Sequence, residues 1–418
     1  MKNLVLALLF CLAPVAAWAA DSAWVQAVRG GYEARSVIGA AQCPVLHTDK
    51  GDVAMTARAA ATADFPLVCA AAVPAGAATA TIGDVVLPLP VADPQRILVL
   101  GDTGCRIQGA TLQACNDPAR WPFPQLAAAA AQLKPDLIVH VGDYLYRESA
   151  CPAGNQGCAG SPWGDNWISW QADFYTPAAP LLAAAPIVLV RGNHEDCSRA
   201  GPGWLRLQGP LPFDSAAPCA AHLPLYDVDL GELRLAVMDD ATAQDTSLNR
   251  DDSPVYVAEL TSLAALKAPV WFVHHRPIWA AISGPLGIPI GGNLELIDAA
   301  RIASAQGDPP IPASVELMLS GHIHTFEAIN YTKDIPPQIV AGNGGDNLDS
   351  TPTNLRGTQF QGHSGVTVAD GLSVGGFGFL LMTRAADGWT IDLYDQTGLK
   401  TRTCRFTSAK SSRVDCPV

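Results

Sequence analysis

Five short polar clusters, each directly after an apolar run, hold the side chains of this chain that could perform chemistry. Together they offer carboxylate, amide, phenol and imidazole groups. They are GDTG (101–104), GDYLY (142–146), GNHE (192–195), HHRP (274–277) and GHIH (321–324). Asp, Asn and His are common metal ligands, and their mixture excludes both an all-oxygen calcium loop and a thiolate zinc site. The clusters therefore predict a metal site of mixed oxygen and nitrogen ligands.

The number of these groups is sufficient for two metal ions. Two ions about 3.5–4 Å apart can hold both the attacking and the leaving oxygen in a displacement at phosphorus. His322 and His324 are two residues apart, so in an extended segment both would point the same way and could serve neighbouring ions. The glycine that opens four of the clusters lets the backbone turn off the strand and approach the ions closely. The spacing is therefore compatible with hydrolysis of a phosphoester.

The apolar runs before the clusters predict the strands that position them. Short runs bounded by glycine or proline are typical of buried strands, and ligands of α/β proteins gather beyond the carboxyl ends of such strands. Helices are predicted at 121–135 and around 167–185. The predicted strands are 96–101, 136–142, 186–192, 232–239, 268–275, 315–321 and 336–342, and a hairpin joined by Ala-Asp-Gly follows at 376–384 and 389–395.

In order and spacing, the five clusters resemble the signature blocks of purple acid phosphatases, which are calcineurin-like metallophosphoesterases. The resemblance covers residues 95–342. It implies an α/β fold, a four-layer α/β/β/α sandwich of two mixed sheets, preceded by a small β-rich N-terminal domain. The expected division is a signal peptide (1–19), the N-terminal domain (20–92), the catalytic domain (93–403) and a disulfide-closed tail (404–418).

The resemblance also implies the ligands of two metal ions. Asp102, Tyr146 and His324 would hold the first ion, Asn193, His275 and His322 the second, and Asp143 would bridge them. The superfamily usually has a ligand histidine where this chain has Gly104, and Tyr146 stands in for it; Tyr144 is the alternative. A phenolate is a hard anionic donor, so we expect Fe(III) at the Tyr146 site and Fe(II), Zn or Mn at the second.

The fourth cluster contains two adjacent histidines and Phe272. In the family the ligand histidine commonly precedes x-Pro, which selects His275. His274 would then point to the opposite side of the strand or contact the substrate.

Catalytic roles are expected for three further side chains. By resemblance, His194 would face the substrate and donate a hydrogen bond or a proton to the leaving oxygen, with Glu195 orienting it; a supporting contact to a ligand is the alternative. Arg276 is either a phosphate clamp or a solvated side chain. Asp239, Asp240, His140 and His363 are weaker candidates with simpler structural interpretations.

The expected activity is hydrolysis of phosphate monoesters by a metal-activated hydroxide. One alternative keeps the fold and predicts a phosphodiesterase or a broad-specificity esterase with Mn or Zn. Another is a metal- or phosphate-binding surface protein without activity. The net charge of -13 argues against binding to nucleic acid or anionic membranes. We therefore expect a small phosphorylated substrate and no nucleic-acid, membrane or protein partner.

The start of the chain and the cysteines predict export. Lys2, an apolar stretch over 4–17 and Ala17-Trp18-Ala19 are typical of a signal peptide cleaved after Ala19. A membrane helix is the alternative, but the stretch is short and is broken by Pro14. Ten cysteines then remain, in five pairs close in sequence, which favours local disulfides over a metal cluster. We expect a secreted or periplasmic protein.

Overall fold

The computed structural model describes residues 22–267, 269–304, 309–360, 365–408 and 412–417. The predicted signal peptide and His363 lie outside these ranges. The strands are β1 (Ser22–Val28), β2 (Gly31–Ile38), β3 (Val45–Thr48), β4 (Gly51–Ala54), β5 (Thr56–Ala59), β6 (Leu67–Ala72), β7 (Ala80–Ile82), β8 (Val85–Val86), β9 (Arg96–Leu100), β10 (Ile107–Gln108), β11 (Thr111–Leu112), β12 (Leu137–His140), β13 (Ile187–Leu189), β14 (Tyr226–Asp229), β15 (Arg234–Val237), β16 (Val270–Val273), β17 (Ala281–Ser283), β18 (Pro289–Gly291), β19 (Val315–Ser320), β20 (Phe326–Tyr331), β21 (Gln338–Ala341), β22 (Val368–Val374), β23 (Gly378–Ala385), β24 (Gly388–Asp395), β25 (Lys400–Thr407) and β26 (Arg413–Asp415). The helices are α1 (Phe123–Gln132), α2 (Trp167–Trp170), α3 (Ala179–Ala184), α4 (Gly201–Leu207), α5 (Ser253–Ser262) and α6 (Leu294–Ala303), with a π-helical turn at Gln171–Tyr175 and 3-10 turns at Asn193–Glu195, Leu263–Ala265 and Pro285–Gly287.

The larger sheet has eleven strands in the order β26-β25-β24-β23-β9-β12-β13-β1-β2-β6-β5. Its centre is parallel, since β9, β12, β13 and β1 run in one direction. The hairpin of β23 and β24 adds to β9 in antiparallel pairing. Three of the strands predicted to precede a polar cluster, and the predicted hairpin, are confirmed in this sheet.

The second sheet has seven strands in the order β14-β15-β16-β19-β21-β20-β22. Its centre, β15, β16, β19 and β21, is parallel. These are the four strands predicted at 232–239, 268–275, 315–321 and 336–342. Because β16 and β19 end in the fourth and fifth polar clusters, the two sheets together carry all five.

The two sheets pack face to face and helices cover their outer faces. Val99 of β9 and Trp271 of β16 belong to the apolar layer between the sheets. Leu126 of α1 and Trp204 of α4 pack on the outer face of the larger sheet. Leu260 of α5 packs with α6 on the outer face of the second sheet. This is the predicted four-layer α/β/β/α sandwich.

The β-rich N-terminal region is present, and it is continuous with the larger sheet. β1 pairs with β13, and β2, β6 and β5 continue the sheet to its edge. β4, β3, β7 and β8 form a separate sheet that packs on them through Leu46 and Ile82. Backbone hydrogen bonds therefore cross the predicted boundary at residue 92, and the boundary at 403 falls inside β25. The domain division remains a prediction, and the larger sheet contains strands from both sides of each of these two boundaries.

The predicted disulfides are confirmed, and the alternative of a cysteine metal cluster is wrong. All ten cysteines from Cys43 onward are paired in sequence order: Cys43–Cys69, Cys105–Cys115, Cys151–Cys158, Cys197–Cys219 and Cys404–Cys416. Within the described ranges, no helix combines the length and apolar composition needed to cross a bilayer.

Candidate metal centre

The strand-end turns hold three predicted ligands in left-handed backbone conformation. The φ angle is 57° at Asp102, 59° at Asp143 and 68° at His322. Such angles cost a non-glycine residue about 1–3 kcal/mol and cluster at functional sites. Hydrogen bonds between the loops stabilise them. The Asp102 N–H donates to Gly142 O at 2.9 Å, and the Gly321 N–H donates to His275 O at 3.0 Å.

Tyr146 Oη lies at the centre of the first predicted ligand set. It is 3.1 Å from Asp102 Oδ1, 2.9 Å from Asp143 Oδ2 and 3.2 Å from His324 Nε2. The side chain is fully buried. Burial raises the pKa of Tyr146 well above its usual value, and the carboxylates of Asp102 and Asp143 raise it further. A bound cation would be needed to stabilise the phenolate here.

The second predicted ligand set meets on the other side of Asp143. His275 Nε2 is 3.0 Å from Asn193 Oδ1 and 3.2 Å from Asp143 Oδ2. Ligand atoms of Asp143, His275 and His322 lie within 4.8 Å of one another. The structure therefore brings all seven predicted ligands into one cluster, and Asp143 Oδ2 contacts both sets. His322 and His324 reach it from a turn, however, and not from the extended segment expected.

Two of the histidines have a fixed tautomer. His275 Nδ1 is 2.8 Å from Val141 O, and His324 Nδ1 is 2.6 Å from Asn347 O. A carbonyl only accepts, so each Nδ1 carries the proton and each Nε2 is directed at the carboxylates. Such contacts commonly orient ligand histidines.

The cluster carries excess negative charge. Burial disfavours the imidazolium of His275, but Asp143 and the other nearby carboxylates outweigh it and raise its pKa to about 9. In the same way, burial opposes charge on His324, while Asp346 and Asp102 raise its pKa to about 10. Buried carboxylates that draw protons onto neighbouring imidazoles fit a site built for cations. The donor set therefore suits two metal ions.

Backbone N–H groups hold the outward oxygens of the two central carboxylates. The His322 N–H donates to Asp102 Oδ2 at 3.0 Å, and the His194 N–H donates to Asp143 Oδ1 at 2.8 Å. A Cβ at Gly192 would lie 2.1 Å from Asp143 Oδ1, and one at Gly321 would lie 2.5 Å from Asp102 Oδ2. Glycine at these two positions therefore permits the close approach on which the carboxylate contacts depend.

There is a steric reason why a chain with Tyr146 has glycine at position 104. A Cβ at Gly104 would lie 2.7 Å from Tyr146 Cδ2 and 2.5 Å from Tyr144 O. The tyrosine ring thus occupies the space that a side chain at 104 would need. The alternative, Tyr144, lies away from the site, because its hydroxyl donates to Val190 O at 2.8 Å and its ring stacks on His140.

His274 does not face the substrate side. Its ring stacks on Phe272 at 4.5 Å, and its Nδ1 is 3.1 Å from Asp240 Oδ2. Of the two positions expected for His274, the one on the opposite side of the strand is found and the substrate contact is not, because strand alternation directs the ring onto Phe272 and Asp240. Asp240 also accepts hydrogen bonds from the backbone N–H groups of His275 and Arg276. It fixes the backbone of the fourth cluster.

We expected Glu195 to orient His194, but its side chain forms no hydrogen bond with that residue. Its carboxylate accepts the N–H groups of Tyr144 (2.8 Å), Leu145 (3.0 Å) and Gly192 (3.2 Å). The side chain of Glu195 thus joins the second cluster to the third.

Glu148 contacts His194 instead, with Oε1 2.6 Å from Nδ1. Arg199 binds the same carboxylate, and its Nη2 lies 2.6 Å from Nδ1 and 3.0 Å from Nε2 of His194. His194 Nε2 is 3.9 Å from Asp143 Oδ2. Glu148 and Arg199 together therefore position His194, and the sequence indicated neither.

Charged residues other than the predicted ligands complete the site. Arg276 Nη1 lies 3.1 Å from His322 Nε2 and 2.5 Å from Asp245 Oδ2, so this predicted clamp borders the second ligand set. Arg106 lies over the Tyr146 ring at 4.7 Å and pairs with buried Asp346. Asp346 follows β21 in another Gly-rich strand end, GNGGD (342–346), which is the one signal in the sequence that could have found it.

Comparisons with known proteins found a matching family profile and similar folds. A sequence profile described as calcineurin-like phosphoesterase matches residues 95–326, more than half of the chain. The solved purple acid phosphatase PPD1 from yellow lupin (Lupinus luteus) seeds is 11% identical with a TM-score of 0.52, over 94% of this chain and 73% of that one. The solved structure of PhoD is 10% identical with a TM-score of 0.53, over 95% of this chain and 91% of its own. At these identities the two likenesses show the fold alone. No curated protein sequence matches the chain.

Proposed function

We propose that this chain, which belongs to the calcineurin-like phosphoesterase family, hydrolyses phosphate monoesters at a centre of two metal ions. Family membership makes it a metal-dependent phosphoric ester hydrolase, so an inactive surface protein is no longer an alternative. The preference for monoesters, the metals and the residue roles are the proposal. The observation that carries it is the position of Tyr146 Oη, within 3.2 Å of Asp102, Asp143 and His324.

The two ligand sets would select different ions. Asp102, Tyr146 and His324, with Asp143 as a bridge, offer three hard anionic oxygens, which suit Fe(III). Asn193, His275 and His322 complete the second site with neutral donors, which suit Fe(II), Zn or Mn. When bound, the two ions would neutralise phosphate charge and make a water molecule acidic enough to act as the nucleophile.

The chain's own residues would bind the phosphate and serve the leaving group. Arg276, held by Asp245 beside His322, would donate to a phosphate oxygen. His194 would deliver a proton from Nε2 to the leaving oxygen while Glu148 holds its Nδ1. Water adds to phosphorus, the bond between phosphorus and the ester oxygen breaks, and the alcohol leaves with that proton. Arg276 and a protonated His194, together with the two bound cations, would favour a dianionic monoester over a diester.

Two matched variants test the Tyr146 assignment. We expect the purified protein to bind two metal ions and to show a visible band of an Fe(III)–phenolate pair. Tyr146→Phe should lose this band and most of its iron, whereas Tyr144→Phe should retain both, because Tyr144 donates to a carbonyl away from the site. A band that persists in Tyr146→Phe would refute the assignment.

The choice of ester is tested separately. We expect faster hydrolysis of p-nitrophenyl phosphate than of its bis ester. The opposite order would favour the phosphodiesterase alternative.

We further propose that the protein is exported, to the periplasm or the medium, after cleavage behind Ala19. Support comes from the five disulfides, because such bonds persist in oxidising compartments. The N-terminal residue of the protein purified from its natural source, determined by mass spectrometry, tests the cleavage site. An N-terminus that still carries Met1 would contradict it.

A further inference from the structure

A cavity of about 840 Å³ opens directly beside the metal centre. It shares His322 and Asp245 with that centre, so a molecule bound at the metals extends into it. Its size falls in the range of about 300–1,000 Å³ that is usual for small-molecule sites. Six further lining residues are apolar: Pro277, Ile282, Pro289, Ile290, Ile323 and Phe360.

The charges of the cavity disfavour a negatively charged leaving group. Among the described residues that line it, Asp245 and Asp349 are charged and neither Lys nor Arg occurs. Asp245 Oδ2 is paired with Arg276 and His322, and Asp349 Oδ2 accepts the His324 N–H at 2.9 Å. Both carboxylates are thus already bound to the protein. The wall offers apolar surface to a ligand and repels a second negative charge.

The hairpin of β17 and β18 forms one wall of the cavity. It is anchored by the Ser283 N–H, which donates to Ser350 O at 2.8 Å. Ile290 lines the cavity and is 47% exposed, while Ile288 on the same hairpin is 59% exposed and does not line it. A ligand in the cavity would bury Ile290, and this would explain why an apolar side chain is exposed to solvent at that position.

We propose that this cavity binds the leaving group of the substrate, and that the enzyme prefers monoesters of bulky, apolar, uncharged alcohols or phenols. This inference rests on the proposed function, since it identifies the alcohol part of the same phosphate monoester. Burial of one phenyl group in such a cavity should raise kcat/KM by about 10- to 100-fold.

Three esters with similar primary-alcohol leaving groups test the preference. We expect 2-phenylethyl phosphate to exceed ethyl phosphate in kcat/KM by at least about 10-fold, and 2-carboxyethyl phosphate to fall below ethyl phosphate. Ile290→Asp should lower kcat/KM for 2-phenylethyl phosphate by a larger factor than kcat/KM for ethyl phosphate. The matched control Ile288→Asp should leave both unchanged. Equal rates for the phenyl and ethyl esters, or an equal loss on both esters in Ile290→Asp, would overturn the inference.

Direct binding separates this inference from the proposed function. Binding of 2-phenylethanol to the metal-free protein, followed by saturation-transfer NMR, should be weakened by Ile290→Asp and retained in Ile288→Asp. If the metal-loaded protein hydrolyses no monoester but this binding pattern holds, the proposed function fails and the cavity assignment stands. If the esters are hydrolysed without any phenyl preference, the proposed function stands and the cavity assignment fails.

Discussion

The contact between Glu148 and His194 offers the sharpest test of how the site treats its leaving group. Glu148 Oε1 lies 2.6 Å from His194 Nδ1, and Gln108 donates to the other carboxylate oxygen at 2.9 Å. Burial lowers the pKa of His194, while Asp143 and Glu148 oppose this by stabilising the imidazolium. Glu148→Gln keeps the shape of the side chain and one acceptor oxygen for Nδ1. It removes the negative charge.

The size of the effect follows from that difference. A hydrogen bond to a charged group contributes about 1.5–3 kcal/mol, against about 1 kcal/mol for a neutral pair. The loss of about 0.5–2 kcal/mol corresponds to a fall in kcat of about 2- to 30-fold. The side chains of His194 and Glu148 are only 4% and 19% exposed, so solvent screening reduces the energy of their interaction only slightly.

The assay compares two leaving groups. If His194 protonates the leaving oxygen, Glu148→Gln should slow an alkyl phosphate more than p-nitrophenyl phosphate, because a nitrophenolate leaves without a proton. Glu232→Gln, at a carboxylate that is 78% exposed and pairs with Arg384, is the control and should change neither rate. Metal content should stay at the wild-type value, since Glu148 is outside the ligand sets.

Two results would refute the reasoning. An equal fall with both substrates would mean that Glu148 supports the fold of the site and not proton delivery. A loss of metal together with activity would place Glu148 among the groups that maintain the ligand sets.

Two other predictions concern the site and the stability of the fold. Gly104→Ala should lower the free energy of unfolding by about 1–3 kcal/mol, because its Cβ would lie 2.7 Å from the Tyr146 ring, and should weaken the visible band; an unchanged band and denaturation midpoint would contradict this. Burial of Glu259, reinforced by Asp239, raises its pKa to about 8 from 4.5 in the unfolded chain. The folded protein therefore keeps a proton that the unfolded chain has released, so its stability is full below about pH 4.5 and is lost as the pH rises through 8, by up to about 1.4 kcal/mol per unit. Glu259→Gln should flatten this slope in urea denaturation at pH 5 to 8, and an unaltered slope would show that Glu259 is not its source.

The ligand-bearing part of the fold was predictable because its signals are local. Each polar cluster follows a short apolar run, and a run of that length in an α/β pattern forms a buried parallel strand. The N-terminal strands gave no such signal about where they pair. β1 joins β13 through Gln26 and Ile187, which are far apart in sequence. A pairing of that kind depends on the assembled sheet and cannot be derived from either segment alone.

The error at Glu195 has a physical cause, because a neighbour in sequence was expected to be a neighbour in space. His274 and His275 point to opposite sides, which was one of the two positions expected for His274. His194 and Glu195 lie in a 3-10 turn, where successive side chains are about 120° apart, and so Glu195 points into the second cluster. Glu148 reaches His194 from another loop, a contact that only tertiary structure provides.

The predicted metal centre is organised by loop-to-loop contacts of the protein itself. Three predicted ligands, Asp102, Asp143 and His322, adopt backbone angles that each cost about 1–3 kcal/mol. Hydrogen bonds from neighbouring loops offset that cost. Backbone N–H groups donate to the carboxylates, and a backbone carbonyl accepts a hydrogen bond from His275 Nδ1. These contacts involve protein atoms alone. Contacts within the protein therefore hold the predicted donors of both ligand sets at the strand ends.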